Sequence, residues 1–290
     1  MSVVVSCNLP DGVILGADSA ITLPGPPIVP GQPLPPNVMH GGILKVYEDA
    51  DKLFALGERP IGVATFGAAL LGNRTVGNYL REFVVRDPNH AVTEHTTVAE
   101  VAEALRAFFM NLYQTILIPA VEQFQQRPFD QVPADQRPGF GFVVGGFSAN
   151  AYLSEVWLVL VPIHGTPNSA QMMRAQGEFN ANWYALYDPI DRYIKGRSQA
   201  LLNDIITHFE GLRGAPLTPA ERQQIDAIVA KYEFAIPVAA MPVAIGLEYT
   251  RFLVELVVNH HRFAIGAPVV GGRAKVGKVT YLGGRFEIVE

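Results

Sequence analysis

Strand-like and helix-like segments fall into separate blocks in this sequence, and that segregation predicts an α+β fold built on antiparallel sheets. Three observations carry the prediction. The chain opens on β-branched residues at positions 3–9, a Pro10-Asp11-Gly12 turn and a second apolar run from Val13, which together read as a hairpin. A middle block recurs at helical intervals, with Val98, Val101, Leu105, Phe108, Leu112 and Ile116 spaced by three and four. The chain closes on Ala274–Tyr281, a Gly283-Gly284 turn and Arg285–Val289, a last hairpin. This order argues against alternating parallel βαβ units, and two antiparallel sheets between helical layers satisfy it.

The elements follow in order. The second strand ends at Asp18-Ser19. Residues 23–42 hold seven prolines, at 24, 26, 27, 30, 33, 35 and 36, so a loop without regular structure is expected there. A further strand pair lies at 43–47 or 52–56 and then 61–66, breaking at Gly67. Helix is expected over Ala68–Arg86 and again from Thr97, where Thr97 and Glu100 form a capping box; Pro119 is expected to bend or end that helix. Strands return at Phe140–Phe147, Ser154–Val161 and Ala170–Ala175. Helices are then expected at about 185–212, from Thr218-Pro219-Ala220-Glu221, and over about 244–262. We read residues 1–290 as one domain with insertions at about 22–42 and 213–240.

Composition narrows the function. Of the 290 residues 49% are hydrophobic and 17% charged, with a mean hydropathy of +0.19, so a large core is possible and some surface is expected to be covered between subunits. The net charge is −5 and the 22 Lys and Arg residues form no long run, which argues against nucleic acid as a partner. Apolar runs such as Val156–Ile163 are too short for a bilayer span, and MSVVVSCNLPDG lacks the basic and apolar regions of a signal peptide. A single cysteine, Cys7, fits a reducing compartment, so a cytoplasmic protein without membrane contact is expected. No cofactor motif is present and no metal is expected. His260 and His261 point to different sides of a helix, have no partner at metal-ligand spacing and read as charge complements of a helix end. Cys7 reads as a small core residue.

One position carries chemistry. Removal of Met1, which small second residues permit, makes Ser2 the first residue of the chain. Such a serine holds a hydroxyl and an α-amine whose reference pKa of about 7.7–8.0 suits a base at neutral pH. Nucleophile and base then share one residue.

The residues around it resemble a known family. Ser2-Val-Val-Val-Ser-Cys-Asn-Leu-Pro-Asp11-Gly12-Val-Ile-Leu-Gly-Ala-Asp18-Ser19 is similar to the opening of proteasome β subunits and their bacterial relatives, in which a nucleophilic threonine precedes a D-G-V turn and an A-D-S strand end. Asp18 lies 16 residues after Ser2, the family's own interval. Lys52-Leu-Phe-Ala-Leu-Gly-Glu-Arg-Pro-Ile-Gly62-Val-Ala-Thr-Phe-Gly67-Ala-Ala resembles the next motif with one extra residue in its turn. Phe142-Val-Val-Gly-Gly146 and Gly271-Gly272-Arg-Ala-Lys-Val-Gly-Lys-Val-Thr280 are similar to later strands. The resemblance implies a four-layer αββα sandwich of the N-terminal-nucleophile (Ntn) hydrolase type, which the element order independently permits.

Carried over, the resemblance implies that Ser2 is the nucleophile and that Lys52 beside it lowers the cost of removing its proton. Asp18 holds that lysine, and the Gly67 N–H serves as oxyanion donor. Lys45 is the rival lysine, less well spaced from Gly67. The chain departs from the family at Ala267-Pro268-Val269-Val270, where polar groups that hold the amine are missing; Glu178 or Asn180 is the candidate substitute. A peptide or protein substrate, acyl-enzyme chemistry, self-assembly into a ring or larger homo-oligomer, and an unfoldase partner of unknown identity are what the resemblance implies. The alternatives are a catalytically inactive ring-forming subunit of the same fold and a small-molecule amidase or acylase.

Overall fold

The computed structural model describes residues 2–24, 43–86, 97–162, 168–265 and 269–289. Its elements in order begin with β1 (Val3–Leu9), β2 (Gly12–Asp18), β3 (Ile21–Pro24), β4 (Ile43–Tyr47), β5 (Leu53–Ala55), β6 (Ile61–Gly67) and the two-residue β7 (Leu70–Leu71) and β8 (Arg74–Thr75). Then come α1 (Val76–Arg86), α2 (Val98–Leu112), a π turn (Tyr113–Leu117) and α3 (Ile118–Gln125). They are followed by β9 (Phe140–Gly146), β10 (Glu155–Val161), β11 (Gln171–Arg174) and β12 (Asn180–Ala185). The chain finishes with α4 (Asp188–Lys195), α5 (Gln199–Arg213), α6 (Pro219–Ala230), α7 (Val243–Phe263), β13 (Ala274–Thr280) and β14 (Glu287–Val289).

Two five-stranded antiparallel sheets form, ordered β12-β1-β2-β13-β14 and β11-β10-β9-β6-β5, and they pack face to face between helices. This is a four-layer αββα sandwich. Every residue of β1 and β2 is buried, because one face of their sheet meets the other sheet and the opposite face meets α7. Alternation assigns the faces. Val4, Val13, Leu15 and Ala17 enter the core between the sheets, whereas Val3, Val5, Cys7 and Leu9 face the helical side. A third core lies on the far side of the second sheet, where Val98, Val101, Leu105 and Phe109 of α2 meet Phe140 and Phe142.

The helix expected over 68–86 starts only at Val76. Gly67 (φ +91) and Gly72 (φ +59) turn the chain first, and Thr75 Oγ1 then accepts the Asn78 N–H at 3.1 Å, as a cap does. The helix expected at 185–212 is two: Gly196 (φ +69) closes α4, and Ser198 Oγ accepts the Leu201 N–H at 3.1 Å to open α5. Pro119 does not end the helical run: it sits in the first turn of α3, just past the π turn, where the wider ring leaves room. The resulting rod, 98–125, is long and apolar enough by length and composition to cross a membrane, unlike the runs weighed from the sequence, but its buried stripe packs on the second sheet. Both expected capping boxes form, at Thr97–Glu100 and Thr218–Glu221. Most of the Pro-rich loop falls outside the described residues; β3 and β4, which flank it, pair with each other.

One side chain from the closing hairpin locks the two sheets. The Phe286 ring lies against Gly62 of one sheet and Gly277 of the other, so closely that a Cβ at either would come within 2.2 or 2.3 Å of it. Phe286→Ala should therefore cost about 3–5 kcal/mol in urea denaturation. Val85→Ala, at a position 80% exposed, should stay within about 0.5 kcal/mol of the parent.

Candidate active site

The end of β2 delivers a carboxylate under the start of β1. Asp18 is buried, and its Oδ1 accepts the Val3 N–H at 3.0 Å while Oδ2 accepts those of Ala20 at 3.4 Å and Gly271 at 3.3 Å. Lys52, from the residue before β5, donates from Nζ to Asp18 Oδ1 at 2.8 Å and to Ser2 Oγ at 3.0 Å. Only 3% of Ser2 and 5% of Lys52 is exposed, so the three side chains form one buried cluster. Burial lowers the Lys52 pKa from the usual lysine range; the Asp18 charge and hydrogen bond oppose that shift without cancelling it.

Backbone register fixes Ser2 from the other side. Val3 pairs with Ala185, whose φ of +66 turns the chain so that the Leu186 N–H reaches the Ser2 carbonyl at 3.0 Å. Gly67 closes the site at the end of β6. The Thr65 N–H bonds the Lys52 carbonyl at 2.9 Å, and strand alternation places the Gly67 N–H on that same side, beyond the start of β5. No side chain fits at this position: a Cβ would lie 2.4 Å from the Gly139 carbonyl oxygen. A cavity of about 230 Å³ opens beside Ser2, lined by Ile21, Ala50, Phe54, Thr65, Gly67 and Val76. Thr22 Oγ1, buried and without a hydrogen-bond partner among the described residues, also belongs to a lining residue. A larger hollow of about 1160 Å³ near Arg251 and Glu255 has no serine, threonine or cysteine in its lining.

The structure thus brings Ser2, Asp18, Lys52 and Gly67 together. It also adds partners that sequence reasoning missed. Gly271 supplies an N–H to Asp18, and Gly272 (φ +71) passes so near Ser19 that a Cβ would sit 2.4 Å from its Oγ. Ser19 Oγ in turn accepts the Arg273 N–H at 2.7 Å. The Gly-Gly pair was the available signal, since adjacent glycines mark close backbone approach.

Other candidates fall away or lie elsewhere. Lys45 sits on β4, paired with Leu23, and its side chain lies outside the described residues, as do Met1, Ala267 and Pro268. Val270 is fully buried against the helical side of the first sheet. Glu178 and Asn180 do not substitute for the missing polar groups. Asn180 pairs with Asn8 at the far end of β1, roughly 20 Å from Ser2 at strand rise, and Glu178 instead caps its own turn through the Ala175 N–H. Cys7 is a core residue whose thiol burial pushes up to about 12. His260 and His261 occupy the last turn of α7, and no cluster with metal-ligand character occurs among the described residues.

No family model matches this chain and no curated protein matches it. Solved structures similar to it include the Anbu complex of Pseudomonas aeruginosa, a helical assembly, at 14% identity and a TM-score of 0.49, covering 98% of this chain and 81% of that one. Anbu (ancestral beta-subunit) from Yersinia bercovieri matches at 12% identity and TM-score 0.47, and Anbu from Hyphomicrobium sp. strain MC1 at 11% and 0.47, each covering 99% of this chain and 87% of the other. These findings correct the family assignment that the motifs imply. No family model places the chain among proteasome β subunits, and these three similar structures are Anbu proteins at distant identity.

The buried pair yields a stability test. Lys52→Met leaves the Asp18 carboxylate buried without its cation and should cost about 3–5 kcal/mol. Adding Asp18→Asn to that variant removes the stranded charge and should recover part of the loss in thermal or urea unfolding. A double variant no more stable than the single one would show that the pair is not the source.

Proposed function

We propose that this chain hydrolyses amide bonds in peptides, with Ser2 as nucleophile once Met1 has been removed. The observation that carries this reading is the Lys52 ammonium held 3.0 Å from Ser2 Oγ and 2.8 Å from Asp18. Removal of Met1 frees the Ser2 amine, which takes the hydroxyl proton as Oγ attacks the carbonyl carbon. Lys52 offsets the charge developing on Oγ, and Asp18 keeps Lys52 cationic and aimed. The Gly67 N–H receives the carbonyl oxygen as it becomes an oxyanion. The C–N bond then breaks, the leaving amine carries away the proton, and water hydrolyses the ester on Ser2 to restore the hydroxyl. The cavity beside Ser2 takes the side chain on the acyl side of the scissile bond.

A second reading is a subunit that keeps the fold without the chemistry. It is favoured by Val269 and Val270, apolar residues where an amine-binding side chain would be expected.

Labelling separates the two. Purified protein should show the mass of a chain lacking Met1 and should gain one adduct from a peptide epoxyketone or β-lactone; Ser2→Ala should gain none. Retention of Met1 on the native protein, or an adduct insensitive to Ser2→Ala, would sink the proposal.

The rate of labelling should follow a bell in pH. Its acidic limb belongs to the amine, near about 7.7–8.0. Its alkaline limb belongs to Lys52 and should fall below the ordinary lysine value of about 10.4, because burial disfavours the ammonium. Asp18→Asn removes the charge that raises the Lys52 pKa, so it should move the alkaline limb to still lower pH. A shift to higher pH would contradict the assigned roles.

A further inference from the structure

We propose that the helical hairpin α5–α6 is a self-association surface that pairs with the same hairpin of a second copy of this chain, forming a four-helix bundle across a two-fold axis. On α5 the residues Leu201, Ile205, Phe209 and Leu212 recur at intervals of four, four and three, which puts them on one face, and they are 42–72% exposed. Ile228 on α6 and Tyr232 just after it are 56% and 75% exposed. Only Leu202 of α5 is buried, and no residue of α6 is. An amphipathic stripe of this width is normally the face a helix buries, and a lone helical pair is marginal in water.

The hairpin is nonetheless built to form. Ser198 caps α5, a capping box and Pro219 open α6, and the two helices are clamped by Arg213–Glu221 at 2.5 Å and Arg222–Glu210 at 2.6 Å. Glu210 also accepts the Leu217 N–H in the connecting turn at 2.9 Å. The clamps satisfy these charges within the hairpin, so a partner need bring no countercharge and meets an apolar stripe.

Area and symmetry select a second copy as that partner. A fully buried aromatic side chain covers about 150–250 Å². Phe209, Tyr232 and the four smaller aliphatic side chains, 42–75% exposed, approach the roughly 800 Å² that each partner gives to a stable interface only together with the flanking helix surface they would cover. Only a self-complementary arrangement lets one such stripe meet an equal stripe without further surface, and two hairpins related by a two-fold axis have the layout of a four-helix bundle.

Sedimentation velocity of the full-length chain over a range of concentrations should show species above the 31.5 kDa monomer. Phe209→Asp with Leu212→Asp should remove one step of association while circular dichroism stays unchanged, and Phe124→Asp, exposed on α3, should not. Cysteine substitution supplies a readout that does not depend on those variants folding: a residue near a two-fold axis meets its own copy, and the native Cys7 is buried. Ile205→Cys or Phe209→Cys should give a covalent dimer on mild oxidation. A monomeric parent at all concentrations, or association that persists in Phe209→Asp/Leu212→Asp with neither cysteine variant cross-linking, would overturn the proposal. Ser2→Ala should associate like the parent, which keeps this test separate from that of hydrolysis.

Discussion

The ion pair between Asp18 and Lys52 is the constraint on which the site depends, because neither charge is tolerable alone where it lies. A buried carboxylate needs both a cation and donors for its remaining lone pairs. Here the donors are the main-chain N–H groups of Val3, Ala20 and Gly271, drawn from β1, the end of β2 and the strand-leading loop before β13. Satisfying one side chain therefore ties together segments more than 250 residues apart in sequence. Lys52, held by that carboxylate through one of its three N–H donors, turns another to Ser2. The geometry at the hydroxyl is thus a consequence of how Asp18 is kept soluble in the core.

Much of this was legible because the demands are local. The hairpin from Val3 to Asp18 fixes the separation of Ser2 and Asp18 through its register, Val4 to Ala17 and Leu9 to Gly12, and a two-residue loop leaves no slack. Lys52 and Gly67 are tied by the β5–β6 ladder, in which the Thr65 N–H meets the Lys52 carbonyl. The role of Gly271 showed only as an adjacent glycine pair marking close backbone approach, since the donor itself is a main-chain N–H. The split between α4 and α5 was hidden, because Gly196 and Ser198 lie inside a stretch whose apolar periodicity runs straight through them. Glu178 and Asn180 were misplaced for a related reason: polarity marks a residue as useful, but only the β1–β12 register says which end of the strand it reaches.

Burial is distributed unevenly, and the composition foreshadows this. The first sheet has no exposed residue in β1 or β2, so its apolar content is fully used, whereas α5 and α6 carry large apolar side chains that nothing among the described residues covers. A mean hydropathy of +0.19 counts both kinds of residue alike. On the proposal made for α5 and α6, surface covered between subunits would lie on these two helices. The four-layer core needs neither.

Placement of the Ser2 hydroxyl does not draw on the amine. The Ser2 carbonyl is held by Leu186, the following N–H by Asp18, and Oγ by Lys52, so three separate contacts position the residue from its C-terminal side and its side chain. Removing Met1 would then add a base to a framework already in place, with little rearrangement needed. The lack of a polar side chain at Val269 and Val270 bears on how the amine is oriented, and leaves the alcohol, the lysine and the carboxylate where they are. Under the proposed function, alcohol and amine are separable contributions: a well-held alcohol with a loosely held amine would lose rate through the proton transfer, while its capacity to form an ester with a strained electrophile would suffer less.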